Sequence, residues 1–183
     1  MFNKQIISSG KSDECYTYRY AVEPLLQFLE PFKDKIIWCP FDDENSEFVK
    51  VFTENGFKVV FSHIKYGQNF YNYEPQKWDI IISNPPFTGK KHIFERALSF
   101  NKPFALLMTL DWLNDSAPKK LFKDKDLQLL MFEKRMEFKR MSKIRAITFS
   151  TAYYCWNFLP KQIIISDFDT NQIKLDFSNN DKL

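Results

Sequence analysis

Short apolar runs alternate with segments of helical period along most of this chain. Residues 35–41, 58–62, 78–83 and 103–110 are brief, apolar and rich in branched side chains, which predicts buried strands. Between them, apolar residues recur at spacings of three and four. Val22, Leu25, Leu26 and Leu29 predict a helix over 20–29, with Thr17 as its N-cap and Pro31 as its stop. Phe48, Val51 and Phe52 predict one over 47–55, capped by Ser46 and ended by Asn55-Gly56. Ile93, Phe94, Ala97 and Leu98 predict a third over 91–100. Residues 67–73 read as an aromatic-rich loop.

The last third has a different rhythm. Residues 127–132 predict a fifth strand, 114–125 a loop or short helix, and the charged stretch 133–145 an exposed loop. Residues 146–156 read as a strand, with 161–167 as its hairpin partner across 157–160. Residues 1–12 read as a loose tail and 170–183 as a weakly specified end. Strands alternating with helices predict an α/β fold: a mostly parallel sheet, helices on both faces, right-handed crossovers. The expectation is one Rossmann-like domain over 1–183 with a C-terminal antiparallel hairpin.

Composition supports one domain. The chain has 183 residues, 44% apolar, with 20 phenylalanines, enough for a real core. No apolar run nears the ~20 residues of a membrane span, and the first residues lack the apolar centre of a signal peptide. A cytoplasmic protein without a membrane partner is therefore expected. Cys15, Cys39 and Cys155 are widely spaced, which fits reduced thiols better than a disulfide frame. His63 and His92 are the only histidines and lack a ligand-spaced partner, so no metal site is expected. Charge is divided: residues 13–47 hold nine acidic and three basic side chains, residues 119–145 ten basic and four acidic. The basic stretch suits a polyanion.

The chemistry concentrates in Asn84-Pro85-Pro86-Phe87, directly after a strand. Neither proline has an N–H for a ladder, and a residue before proline is held extended. A stiff loop results, at the strand end where open α/β sheets bind ligands. An exocyclic amine on a nucleobase is a poor nucleophile because its lone pair is delocalised. The Asn84 side-chain oxygen and the Pro85 carbonyl would accept its two N–H bonds and steady the charge that develops on nitrogen. Phe87 offers a face on which an extruded base stacks.

Five pieces in order extend this pattern: Asp13-Glu14-Cys15-Tyr16-Thr17; Trp38-Cys39-Pro40-Phe41-Asp42 with Ser46 and Phe48; Ser62-His63-Ile64 with Asn69-Phe70; Asp79 through Phe87; and the late strand pair from Phe149 to Pro160. In this order they resemble the adenine-N6 DNA methyltransferases of the Asn/Asp-Pro-Pro-Phe/Tyr type. The likeness is greatest to the EcoRI-methylase-like branch and its small bacteriophage-encoded relatives. The resemblance implies a seven-stranded S-adenosylmethionine-dependent methyltransferase fold, S-adenosylmethionine as methyl donor, and DNA with a flipped-out adenine as substrate. It places Tyr16 and Thr17 at the methionine end of the donor, and Pro40, Phe41 and Asp42 at the first strand's loop. Asn69 and Phe70 would flank the donor's adenine, and Asn84, Pro85, Pro86 and Phe87 would hold the target base.

Little of the chain remains for a target-recognition region, so sequence specificity would come from a partner protein or a homodimer, or be low. Lys119, Lys120, Lys139, Arg140, Lys143 and Arg145 are candidate phosphate contacts. A second function stays open. Residues 40–46 contain no glycine, which suits a methyltransferase fold that has lost turnover and acts as a binding or inhibitory module, for example against a host defence nuclease. Nucleotidyl transfer would need a glycine-rich phosphate loop that is absent.

Overall fold

The computed structural model describes residues 15–140 and 147–167. Its strands are β1 (Cys15–Thr17), β2 (Ile36–Cys39), β3 (Lys58–Phe61), β4 (Ile80–Ser83), β5 (Phe104–Thr109), β6 (Gln128–Phe132), β7 (Met136–Arg140), β8 (Ile147–Phe149), β9 (Thr151–Trp156) and β10 (Ile163–Ser166). Its α-helices are α1 (Arg19–Val22), α2 (Glu47–Glu54), α3 (Lys90–Ser99) and α4 (Ser116–Leu121). Seven strands form one sheet in the order β3-β2-β4-β5-β9-β6-β10. All neighbours are parallel except β9, which is antiparallel to both β5 and β6. This mixed, mostly parallel sheet has a Rossmann-like α/β architecture.

Strand alternation divides the core into two layers. Ile37, Cys39, Ile80, Ile82, Leu107 and Tyr153 face α1, α2 and the segment after α1. Trp38, Ile81, Leu106, Met108 and Tyr154 face α3, Trp78 and Trp112. The sheet is thus covered on both sides, and its central strands β4, β5 and β9 are buried throughout.

Three expectations need correction. The terminal strands are not hairpin partners: β6 lies between them, and β10 pairs with β6 in parallel. A strand apolar on both faces, as β9 is, gains most from an interior place, whereas the half-exposed β10 tolerates the edge. Gln128 makes the crossing possible. Its side chain accepts from the Phe158 and Leu159 amides, each at 3.0 Å, and donates to the Leu159 carbonyl at 2.6 Å. The helix over 20–29 is α1 followed by 3-10 turns at Glu23–Phe28 and Glu30–Phe32. Pro24 has no N–H to continue the α ladder. Finally, the charged stretch expected as a loop contains β7. It forms a second sheet in the order β1-β7-β8, antiparallel throughout. Met136 and Phe138 are both essentially buried, and two apolar residues among so many charges are a faint period-two signal. The predicted strand over 146–156 correspondingly breaks at Ser150 into β8 and β9.

Candidate active site

The order of the strands locates the crevice. From β2 the chain moves to β3 on one side, and from β4 to β5 on the other. The direction of winding reverses between β2 and β4, which pair through Ile37–Ile80 and Trp38–Ile81. Ligands of open α/β sheets bind outside the carboxyl ends of such a strand pair. Two loops emerge there, residues 40–46 after β2 and residues 84–89 after β4.

Asp42 joins them. It is 7% exposed, and its two carboxylate oxygens accept from the Ser46 and Ser83 hydroxyls. Ser46 also caps α2, its oxygen accepting from the Phe48 amide at 3.2 Å. Ser46→Ala therefore removes a cap and one Asp42 contact together. The expected loss is about 1–2 kcal/mol, read as a lower denaturant midpoint at unchanged slope. A midpoint within error of wild type would show that the cap contributes nothing.

Burial drives the Asp42 carboxyl up to about 6; the two serine hydroxyls oppose the rise without cancelling it, and the nearby Asp43 charge adds to it. Folding thus favours the neutral acid. That contribution is fully present below the unfolded value of 3.8 and is lost as pH rises through about 6. Two pH units correspond to a ceiling of roughly 3 kcal/mol. Asp42→Asn abolishes this titration. Its melting temperature should gain several degrees on wild type between pH 4 and pH 8, and a constant gap across that range would refute the linkage.

The other acids of this loop have partners as well. Asp43 accepts from Lys65 and from the Asn45 amide, and Glu44 accepts from the Tyr66 hydroxyl. Burial alone would raise the Asp43 carboxyl, but the Lys65 ammonium and the Asn45 amide hold it below the usual range. Lys65 and Tyr66 follow β3, so the loops after β2 and β3 are stitched across the rim.

Asn84 leaves β4 half-buried, with Pro85 buried beneath it. Its Nδ2 donates to Thr17 Oγ1 at 3.0 Å. Thr17 was expected to cap the following helix, but Tyr18 stands at that N-cap, without a side-chain cap bond. Phe87 is half-buried and meets Phe138 edge to face, centroids 6.0 Å apart. The loop ends at Gly89, whose φ of 75° opens α3. An added Cβ there would be strained by that backbone and would approach the Tyr71 hydroxyl to 3.2 Å. Lys90 then donates to Thr109 Oγ1 at 2.8 Å and to Asp111 at 3.1 Å, anchoring the loop to the end of β5.

The candidate residues of the sequence are therefore only partly united. Thr17, Asp42 and Asn84 to Phe87 converge on the crevice, and Pro40 is buried beside it. Phe41 lies half-buried with its ring 4.8 Å from Phe70. Phe70 is 2% exposed and packs among Trp38, Phe41 and Phe100 as a core residue. Asn69 closes a turn by accepting from the Tyr71 amide at 3.0 Å. The 70–73 stretch is pinned by Arg96, which donates to the Phe70 and Tyr73 carbonyls. Tyr16 lies in β1.

The described basic candidates lie on two separate elements. Lys119 and Lys120 are exposed on α4, packed on the α3 side of the large sheet. Lys139 and Arg140 belong to β7, on the opposite side. Lys143 and Arg145 lie outside the described residues. Ser83, Lys65, Tyr66 and Phe138 were not foreseen. No local pattern marks them, because each is defined by a partner distant in sequence. Among the described residues there is no group of three or more metal-ligating side chains and no helix long and apolar enough to cross a membrane. Cys39 and Cys155 are free and buried, and burial pushes both thiols up.

No family model matches the chain. It is similar to the type II methyltransferase M.EcoRI of Escherichia coli, at 27% identity over 56% of this chain and 47% of that protein. The chain spans about half the length of the curated relative it matches. Among solved structures, a candidate RNA methyltransferase from Pyrococcus horikoshii aligns at 12% identity and TM-score 0.47, covering 77% of this chain and 83% of that one. A Thermoplasma acidophilum protein aligns at 13% identity and TM-score 0.38, covering 79% and 99%. Both scores are low, and the fold rests on the strand order described above. The chain is a distant relative of S-adenosylmethionine-dependent methyltransferases.

Proposed function

We propose that this protein transfers a methyl group from S-adenosylmethionine to the N6 amine of adenine in DNA. The observation that carries the reading is Asn84, held by Thr17 at the carboxyl end of β4 and beside Phe87, in the crevice where winding reverses. The rim suits a cationic donor in charge: Asp43 accepts from Lys65 and Glu44 from the Tyr66 hydroxyl, with Asp42 buried behind them. Glu44 and Tyr66 are exposed, so their contact yields readily to ligand hydroxyls.

When bound, S-adenosylmethionine supplies an activated methyl group. Asp42, Asp43, Glu44 and the apolar Phe41 are the residues proposed to hold it. The Asn84 oxygen and the Pro85 carbonyl accept the two N–H bonds of the adenine amine and stabilise the charge developing on nitrogen. Phe87 stacks the extruded base. Because these groups sit on a stiff loop tied to β5 and β1, little must reorganise during the reaction. Lys119, Lys120, Lys139, Arg140, Lys143 and Arg145 are proposed phosphate contacts, giving affinity without sequence readout. A partner chain or a second copy would supply specificity.

The test is direct. Purified protein with labelled donor and duplex DNA should label N6 of adenine, and donor titration by calorimetry should show one site. Absence of donor binding would sink the proposal.

One observation favours a second reading. Every acid of the donor-side loop already has a protein partner, with Asp42 buried between Ser46 and Ser83. A methyltransferase fold sealed in this way would serve as a binding or inhibitory module. It would form a stable complex with protein or nucleic acid, indifferent to Asn84→Ala and to the donor.

A further inference from the structure

The methyl-transfer reading leaves Thr17 unassigned except at the donor, and the structure gives it a different neighbour. Thr17 and Phe138 are direct cross-strand partners in the small sheet, on β1 and β7. From this one pair the hydroxyl reaches Asn84 and the ring reaches Phe87. Thr17 is 9% exposed and Phe138 fully buried, so neither is a surface ornament.

A primary amide is chemically two-ended, with an acceptor oxygen and a donor nitrogen. An asparagine in a base pocket serves an amine only if its oxygen end is presented. Reversed, it would offer two N–H groups to two N–H groups. Thr17 Oγ1 accepts from the nitrogen end at 3.0 Å across 67 positions of sequence, and the amide is held in that direction for as long as the hydroxyl acts as acceptor. We propose that Thr17 is a positioning residue for the reaction, its hydroxyl fixing the Asn84 amide so that the oxygen end serves the target amine. The small sheet acts as a clamp on the target loop, with Phe138 holding the Phe87 ring edge to face. The proposal rests on the methyl-transfer reading and narrows it: the substrate group must be a hydrogen-bond donor, an amine rather than a ring nitrogen or a carbonyl.

The decisive variants are Thr17→Val and Thr17→Ser. Valine keeps the size and the strand preference but offers no acceptor, while serine keeps the acceptor. With labelled donor and DNA, Thr17→Val should lower kcat about 10- to 100-fold, with the KM for donor changed by less than about twofold. Thr17→Ser should recover most of the rate, at unchanged melting temperature. Should the valine variant not fold, Thr17→Cys, similar in size and a poor acceptor, takes its place. A valine variant that turns over like wild type overturns the positioning role. So does a serine variant as impaired as valine, or a loss confined to donor KM, which would return Thr17 to the donor. Wild-type protein that binds donor but transfers no methyl group overturns the methyl-transfer reading itself.

Discussion

Asn84→Ala should lose at least about 100-fold in methyl transfer while binding donor with nearly unchanged affinity. Removal of one fixed group that stabilises developing charge commonly costs two to three powers of ten. Asn84 is also the only side-chain acceptor that the Asn-Pro-Pro-Phe loop contributes. Alanine further leaves Thr17 without the N–H it accepts, a buried change costing about 1 kcal/mol of stability. That cost is too small to unfold a domain of ordinary stability. The effect should therefore fall on kcat, seen in single-turnover labelling with donor Kd measured in parallel. Asn84→Asp keeps an acceptor and lets the Thr17 hydroxyl rotate to donate, so it should retain far more activity than alanine. If Asn84→Ala retains wild-type turnover, the crevice is not where the target amine sits.

Trp38→Ala should be the most damaging substitution in the core. The ring is fully buried, with centroids 5.0 Å from Trp78, 5.5 Å from Phe70 and 5.8 Å from Phe100. Its Nε1 donates to Ser62 Oγ at 3.0 Å, joining the ends of β2 and β3. Truncating a buried tryptophan costs about 3–5 kcal/mol, against a total stability of roughly 5–15 kcal/mol. The variant should be largely unfolded at 37 °C by circular dichroism. Trp38→Phe keeps most of the packing but strands Ser62 near the Pro40 carbonyl, and should cost about 1–3 kcal/mol. Because Pro40 begins the donor-side loop, Trp38→Phe should also weaken donor binding more than target binding. A melting temperature for Trp38→Ala within a few degrees of wild type would mean that this aromatic cluster is not the keystone of its layer.

Much of the fold was legible because its signals are local. The runs at 35–41, 58–62, 78–83 and 103–110 contain β2 to β5; β2, β4 and β5 are almost wholly buried and therefore almost wholly apolar, whereas β3, expected to be buried, is partly exposed at the sheet edge. Ser46 and Asn55-Gly56 mark the ends of α2 because capping is a matter of a few adjacent residues. The target loop was legible for the same reason: two prolines directly after a branched apolar strand define a stiff strand end.

Other features depend on who stands opposite whom. β7 is written in mostly charged residues and exists because Phe138 finds Phe87 and the core. Phe70, read as a donor contact, has its ring buried beside Trp38 and Phe41, while Arg96 pins its backbone from α3. The placement of β9 between β5 and β6 depends on buried ties such as the Tyr153 hydroxyl donating to the Ala21 carbonyl at 2.8 Å, across 132 residues. From the sequence alone came most elements of the large sheet, the α/β class and the stiff Asn84-Pro85-Pro86-Phe87 loop at a strand end. Strand order, the small sheet, the burial of Asp42 and the pairing of Thr17 with Asn84 were decided only in the tertiary structure. The physical reason is that periodicity, capping and proline stiffness act within a few residues. Side-chain pairing is selected by the packing of surfaces far apart in the chain, where many partners are chemically equivalent until the sheet closes.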